Sequence, residues 1–248
     1  MEKDASGDSE NGSSLFHHRL RARRRTQADS QPKFLLHRLV VAARLSCTPE
    51  DRSTVAAHYE KLNMSIQRSR PGEELTGLLL LYPQHTLLVI ECSTEALLSV
   101  LQDLRHMEEN PHSSLILHPR ILLVSHDLPC RLFPQWFCMM LSESESRRTE
   151  ASDEQNPEKL LNQTMKRLLQ LGCHLYNTQH NTGSTMLTPD EVLKDVSDVV
   201  PPVAAVYRLL QMEALLSPAR YISTYHSPIH QPLDSESVWP AVEHLRIA

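Results

Sequence analysis

Glycine is scarce. The six in this 248-residue sequence, Gly7, Gly12, Gly72, Gly77, Gly172 and Gly183, compose no dinucleotide fingerprint and no Walker-type loop, which excludes phosphate binding through a glycine-rich cradle. Cysteine is scarce too. Cys47, Cys92, Cys130, Cys138 and Cys173 are odd in number and contain no CxxC pair, so neither a disulfide framework nor a zinc finger is expected, and the thiols read as reduced. No apolar run reaches the 18 or so residues of a membrane helix. The opening MEKDASGDSENGSS has no apolar core of a secretory signal, so a cytosolic or nuclear place is expected. Positive charge is also in deficit: the formal net charge of -5 argues against general affinity for nucleic acid.

What is present is enough apolar material for a core, 40% of residues, in an order that can be read along the chain. Residues 1–32 are polar, contain the basic run Arg19 to Arg25, and read as a disordered arm. That run leaves a nuclear location open. Residues 33–141 read as one α+β domain. Lys33 to Leu45 suits a buried strand, and Thr48-Pro49-Glu50-Asp51 announces a helix whose Val55, Tyr59, Leu62 and Ile66 share a face. Leu75 to Leu81 and Thr86 to Glu91 are two nearly continuous apolar runs around the turn Tyr82-Pro83-Gln84-His85, a hairpin covered on both faces. Ser93 or Thr94 caps a second helix, and strand-like runs follow within Leu115 to Ser125 and Arg131 to Leu141. The order β, α, β, β, α, β is the split βαβ arrangement of ferredoxin-like domains, extended by a fifth strand.

A charged, serine-rich linker occupies residues 142–155, and a helical C-terminal extension occupies 156–248 and packs on the sheet. Its first helix starts at Asn156-Pro157-Glu158 and carries Leu161, Met165, Leu168 and Leu169 as a stripe for the sheet's second face. Thr188-Pro189-Asp190-Glu191 and Pro201-Pro202 start two further helices, and from Pro218 onward the chain reads as irregular.

The Arg38-Leu39 lead-in of the first strand, Thr76-Gly77-Leu78-Leu79 on the second, Glu91 ending the third, and Phe133 with Trp136 on the fifth together resemble the BLUF domain, the flavin-binding blue-light sensor of microbial photoreceptors, over Phe34 to Leu141. The resemblance implies a ferredoxin-like BLUF-type sandwich. It also implies a photocycle that needs a first-strand tyrosine, a third-strand glutamine and a helix asparagine pair. Those positions hold Val41, Leu88, and Ser69 with Arg70. Valine cannot donate a proton and leucine cannot exchange donor for acceptor, so no photochemistry and no bound cofactor are expected. FAD held without photochemistry is the alternative. The whole chain resembles a BLUF-derived protein of male germ cells, which implies a sperm setting in the cytoplasm, with the flagellum as its place and an axonemal protein as its partner.

Two other chemistries are weighed. His226 and His230 stand four apart, but Pro228 between them prevents the helix that would aim both rings at a metal, so no metal is expected. Arg105-His106 reads as a solvated helix end. Acylphosphatases share the topology, yet Ala43-Arg44-Leu45-Ser46-Cys47 stands where their glycine-rich phosphate loop follows the first strand, leaving Arg44 as a lone anion-binding group. A non-enzymatic interaction protein is therefore the leading reading, with the flavin-binding sensor and an acylphosphatase-like hydrolase as rivals.

Overall fold

The computed structural model describes residues 35–46, 51–70, 72–142, 156–181 and 198–226. The expected arm with Arg19 to Arg25, nearly all of the linker, the Thr188 helix and His230 lie outside the described residues.

Among the described residues ten elements follow one another: β1 (Leu36–Leu45), α1 (Arg52–Ser69), β2 (Thr76–Leu81), β3 (His85–Cys92), α2 (Thr94–Glu109), β4 (Ile116–Leu128), β5 (Trp136–Met140), α3 (Pro157–Asn181), α4 (Val203–Leu210) and α5 (Pro218–Tyr225). The five strands form one sheet in the order β4-β1-β3-β2-β5. β1 runs antiparallel to β3 and β4, β2 antiparallel to β3, and β5 parallel to β2. This is the ferredoxin-like split βαβ topology with an added edge strand.

The leucine-rich hairpin is apolar throughout because both faces are buried. Leu75, Leu79, Leu81, Leu88 and Ile90 join the inner core beneath α1 and α2, while Leu78, Leu80, Tyr82, Leu87 and Val89 join an outer core beneath α3 and α4. Alternation along the strands assigns each side chain to its layer. Gly77 is the position where only glycine fits: its φ is +146° and a Cβ would lie 2.0 Å from the Val89 carbonyl oxygen.

Local chemistry sets the ends. The Ser93 hydroxyl caps α2 by accepting from the Ala96 amide at 3.2 Å. Arg52 ties the start of α1 to the ends of β2 and β5, donating to the Leu81 carbonyl at 2.9 Å and the Leu141 carbonyl at 2.8 Å. Tyr82 reaches across to the outer layer and donates to the Pro201 carbonyl at 2.6 Å.

The helix announced after the Thr48 signal is α1, described from Arg52 with Asp51 at its N-cap position; Thr48, Pro49 and Glu50 lie outside the described residues. Two expectations are corrected. The face of α3 that meets the sheet is Leu160, Thr164, Leu168, Leu171 and Leu175, at spacings of four, four, three and four; Leu169, expected inward, is 44% exposed. Pro218 starts a helix instead of an irregular tail, because it sits in the first turn, where no amide donor is required, behind the capping hydroxyl of Ser217.

Candidate functional site

β1 and β3 place Val41 and Leu88 directly opposite each other. Both are 1% exposed, and both face the inner core beside Val55, Tyr59 and Ile66 of α1 and Leu97, Leu101 and Leu104 of α2. Leu79 flanks Leu88 on one side and Ile121 flanks Val41 on the other, so the two positions sit in a continuous aliphatic row. Trp136, paired with Gly77 at the start of β5, also packs on this inner core. Ser69 and Arg70 do not. They occupy the exposed C-terminal end of α1, where Ser69 Oγ donates to the Ser65 carbonyl at 2.9 Å and Arg70 lies 3.9 Å from Glu73. Of the five positions singled out in the sequence, three share the inner layer and two lie outside it.

α1 and α2 are stitched together over this layer. His58 Nε2 lies 2.9 and 3.1 Å from the two carboxylate oxygens of Asp103, a bridge that closes the space between the helices. Beneath it, Tyr59 is buried, and burial followed by the Asp103 charge pushes its phenol well above the ordinary range. Tyr59 Oη and Trp136 Nε1 are both buried without a hydrogen-bond partner, and their rings lie 6.2 Å apart at 34°. Two neighbouring donors of this kind ask for an acceptor.

An isoalloxazine ring does not fit this donor set. It requires polar groups against both of its edges, and the row that would face it is Val41, Leu88, Leu79 and Ile121. The helix positions expected to hold it, Ser69 and Arg70, are exposed, and the His58–Asp103 bridge ties α1 to α2. Tyr59 and Trp136 alone offer hydrogen bonds, and they offer them from one corner.

The residues that carry the family resemblance have a structural task. Glu91 is fully buried, and its carboxylate accepts from Arg38 Nε at 2.8 Å and from the amides of Leu132 and Phe133 at 2.9 and 3.0 Å. Arg131 adds a second guanidinium, donating to Thr76 Oγ1 and the Glu91 carbonyl, each at 2.7 Å. Burial lowers the Arg131 pKa and the Glu91 charge offsets part of that. The charges therefore lock the loop before β5 onto β3 and β2. This loop was expected to begin a strand at Arg131; Pro129, Pro134 and the capture of two of its amides by Glu91 leave only Trp136–Met140 extended.

Sequence reasoning did not find a second cluster. His37 and His126 meet Nδ1 to Nδ1 at 2.9 Å, and His37 Nε2 lies 2.8 Å from Thr94 Oγ1. Burial, and then the neighbouring His126, lower the His37 pKa to about 4. No spacing links residues 89 positions apart; only the antiparallel β1–β4 register brings them together. The other groups singled out lie apart. Arg105 pairs with Glu109 at 2.7 Å on the exposed side of α2, beside an exposed His106. Arg44 is exposed at the end of β1 opposite His85. Among the described residues no group of three or more His, Cys, Asp or Glu side chains is arranged to hold a metal ion, and no helix is long and apolar enough to cross a membrane.

A family model described as testis-expressed protein 47 matches residues 35–227. Among solved structures, the chain is similar to the BLUF protein BlrP1, with 18% identity over 45% of this chain and 67% of that one at a TM-score of 0.32. It is similar to BlrB, a BLUF protein in its dark state, with 18% identity over 45% of this chain and 75% of that one at 0.34. A bacterial light-regulated adenylyl cyclase matches with 17% identity over 68% of this chain and 41% of that one at 0.34. Strand order, rather than these distant likenesses, establishes the fold.

Proposed function

This chain belongs to the testis-expressed protein 47 family, and on that premise we propose that it is a non-enzymatic interaction protein of male germ cells, built on a BLUF-like domain that binds no flavin and performs no photochemistry. The observation that carries the reading is the Val41–Leu88 pair: directly opposed across β1 and β3, 1% exposed, and roofed by helices that the His58–Asp103 bridge holds together. The family's description supports the germ-cell setting. The finer parts of the proposal are a cytoplasmic place in the sperm flagellum and an axonemal protein as partner.

A second reading, a flavin-binding sensor with altered chemistry, is favoured by one observation, the unpartnered Tyr59 Oη and Trp136 Nε1. The hydrolase reading rests on Arg44 alone. Purified chain expressed with excess riboflavin separates the first two. The interaction reading expects no absorption near 450 nm (the band of oxidised flavin) and no change in melting temperature with FAD or FMN. A bound ligand at a hundredfold excess over its Kd would stabilise the chain by about 2.7 kcal/mol, and a shift of that size would favour the sensor.

A further inference from the structure

The His37–His126 contact tolerates one added proton and not two. At 2.9 Å between the Nδ1 atoms, one ring must donate and the other accept. The neutral pair does this, and so does the pair carrying one extra proton. With both rings charged, two N–H groups face each other and the bond is lost. Thr94 Oγ1, 2.8 Å from His37 Nε2, serves either state by turning its hydroxyl.

The contact joins distant parts of the chain. His37 is buried on β1, whereas His126 is exposed near the C-terminal end of the edge strand β4. A third histidine, His226, is the C-cap residue of α5 and lies within electrostatic reach of His126, whose pKa is lowered by burial and then by His226. α5 covers the inner core with Tyr221. The start of α5 is held by the Ala219 amide, which donates to Glu108 Oε2 at 3.1 Å, and the turn before it by the Leu216 carbonyl, which accepts from the Ile121 amide at 2.8 Å. At the end of α5 the rings of Tyr221 and His226 lie 5.8 Å apart.

We propose that the three histidines form an acid-opened clasp: when His37 and His126 are both protonated, the C-terminal end of β4 parts from β1 and the last turn of α5 loosens from the inner core, uncovering the apolar surface under Tyr221. His37 couples this opening to pH. Burial, and then His126, lower its pKa to about 4, against weaker opposition from Asp127 on β4 and Glu95 in the first turn of α2. The other groups at this corner are His226, the Glu108 carboxylate, and the Tyr221 phenol, which burial and then Tyr225 keep neutral. The closed corner therefore binds fewer protons than the open one, so closing has its full advantage above pH 6.5 and loses it as pH falls toward 4. An opening that returns His37 to its ordinary 6.5 becomes about 30-fold more favourable between about pH 7.5 and pH 5.

The test is hydrogen exchange of the full chain, read by mass spectrometry at about pH 7.5 and pH 5 with labelling times matched for intrinsic exchange. Peptides covering 123–128 and 218–226 are expected to lose protection about 30-fold at the lower pH, while the hairpin 76–92 keeps its own. His37→Gln, whose amide hydrogen-bonds but cannot be charged, is expected to abolish the difference. Should that variant fold poorly, NMR of the parent decides: the ring signals of His37 and His126 and the α5 amides should move over the same pH range. Protection that holds at the lower pH overturns the proposal, as does a loss shared equally by the hairpin or a variant as acid-sensitive as the parent. So do α5 amides that move without the two rings, which would assign the opening to Glu108.

Discussion

Replacing Glu91 tests whether the motif acid is a structural anchor. Its carboxylate serves a 14% exposed Arg38 and two backbone amides that no other acceptor reaches. Breaking a buried ion pair from one side costs about 3 to 5 kcal/mol, because the remaining charge stays uncompensated. Glu91→Gln keeps one carbonyl oxygen and is expected at the lower end, about 3 kcal/mol. Glu91→Ala also strands the Leu132 and Phe133 amides, at about 1 to 3 kcal/mol each when unsatisfied; since these losses overlap, a total near 5 kcal/mol is expected. For a chain of this size each kcal/mol moves Tm by about 2 to 4 °C, so the glutamine variant should melt roughly 6 to 12 °C lower. Urea unfolding followed by circular dichroism gives the free energies. The double variant Arg38→Met with Glu91→Leu should recover part of the loss, since it removes the Arg38 and Glu91 charges together, but it still leaves the two amides unpaired and takes the carboxylate's charge away from Arg131. A Glu91→Gln variant within about 0.5 kcal/mol of the parent, the range of ordinary surface changes, would refute the anchoring role.

Val41→Tyr with Leu88→Gln is expected to cost about 1 to 3 kcal/mol per buried unsatisfied group without creating a light response; a light-induced red shift in a bound flavin would show that the inner layer can open. Truncation after Gln155 uncovers Leu78, Leu80, Leu87 and Val89, and the fragment should aggregate or self-associate. A stable monomer in size-exclusion chromatography would contradict that. His37 has a folded pKa of about 4 against an ordinary 6.5, so the fold favours its neutral form. Stability is therefore full above pH 6.5 and falls as pH drops toward 4, by about 3 kcal/mol in total. Urea midpoints of the parent should decline over that window and those of His37→Gln should decline less; parallel declines would remove His37 as the cause.

The layers were legible because strand alternation and helical spacing are local. Leu78 to Tyr82 divides between the two cores as strand alternation predicts, and Leu87 and Leu88 fall to the outer and inner core respectively. The Leu169 error arose from a leucine-rich helix, in which Leu160, Leu161, Leu168 and Leu169 offer two adjacent stripes and only packing selects one. The opposition of Val41 and Leu88 follows from a register 47 positions apart in sequence, which a family resemblance supplies and periodicity does not. The anchoring role of Glu91, its neighbour Arg131 and the His37–His126 pair escaped notice because their partners are backbone groups or side chains brought close only by the finished sheet.

A sheet buried on both sides has a consequence for how the chain emerges from the ribosome. The five strands and the two inner helices are complete at Met140, but the outer core is not sealed until Leu209 of α4 is available. At synthesis rates of about 5 to 20 residues per second, the intervening stretch takes roughly 4 to 14 seconds to appear. Hydrophobic collapse takes microseconds, so for that interval the nascent chain displays a leucine-rich surface long after it could have formed one. That window is when the chain is most exposed to aggregation, and a codon change that slows translation between Ser142 and Leu210 is expected to lower the soluble yield without altering a single residue.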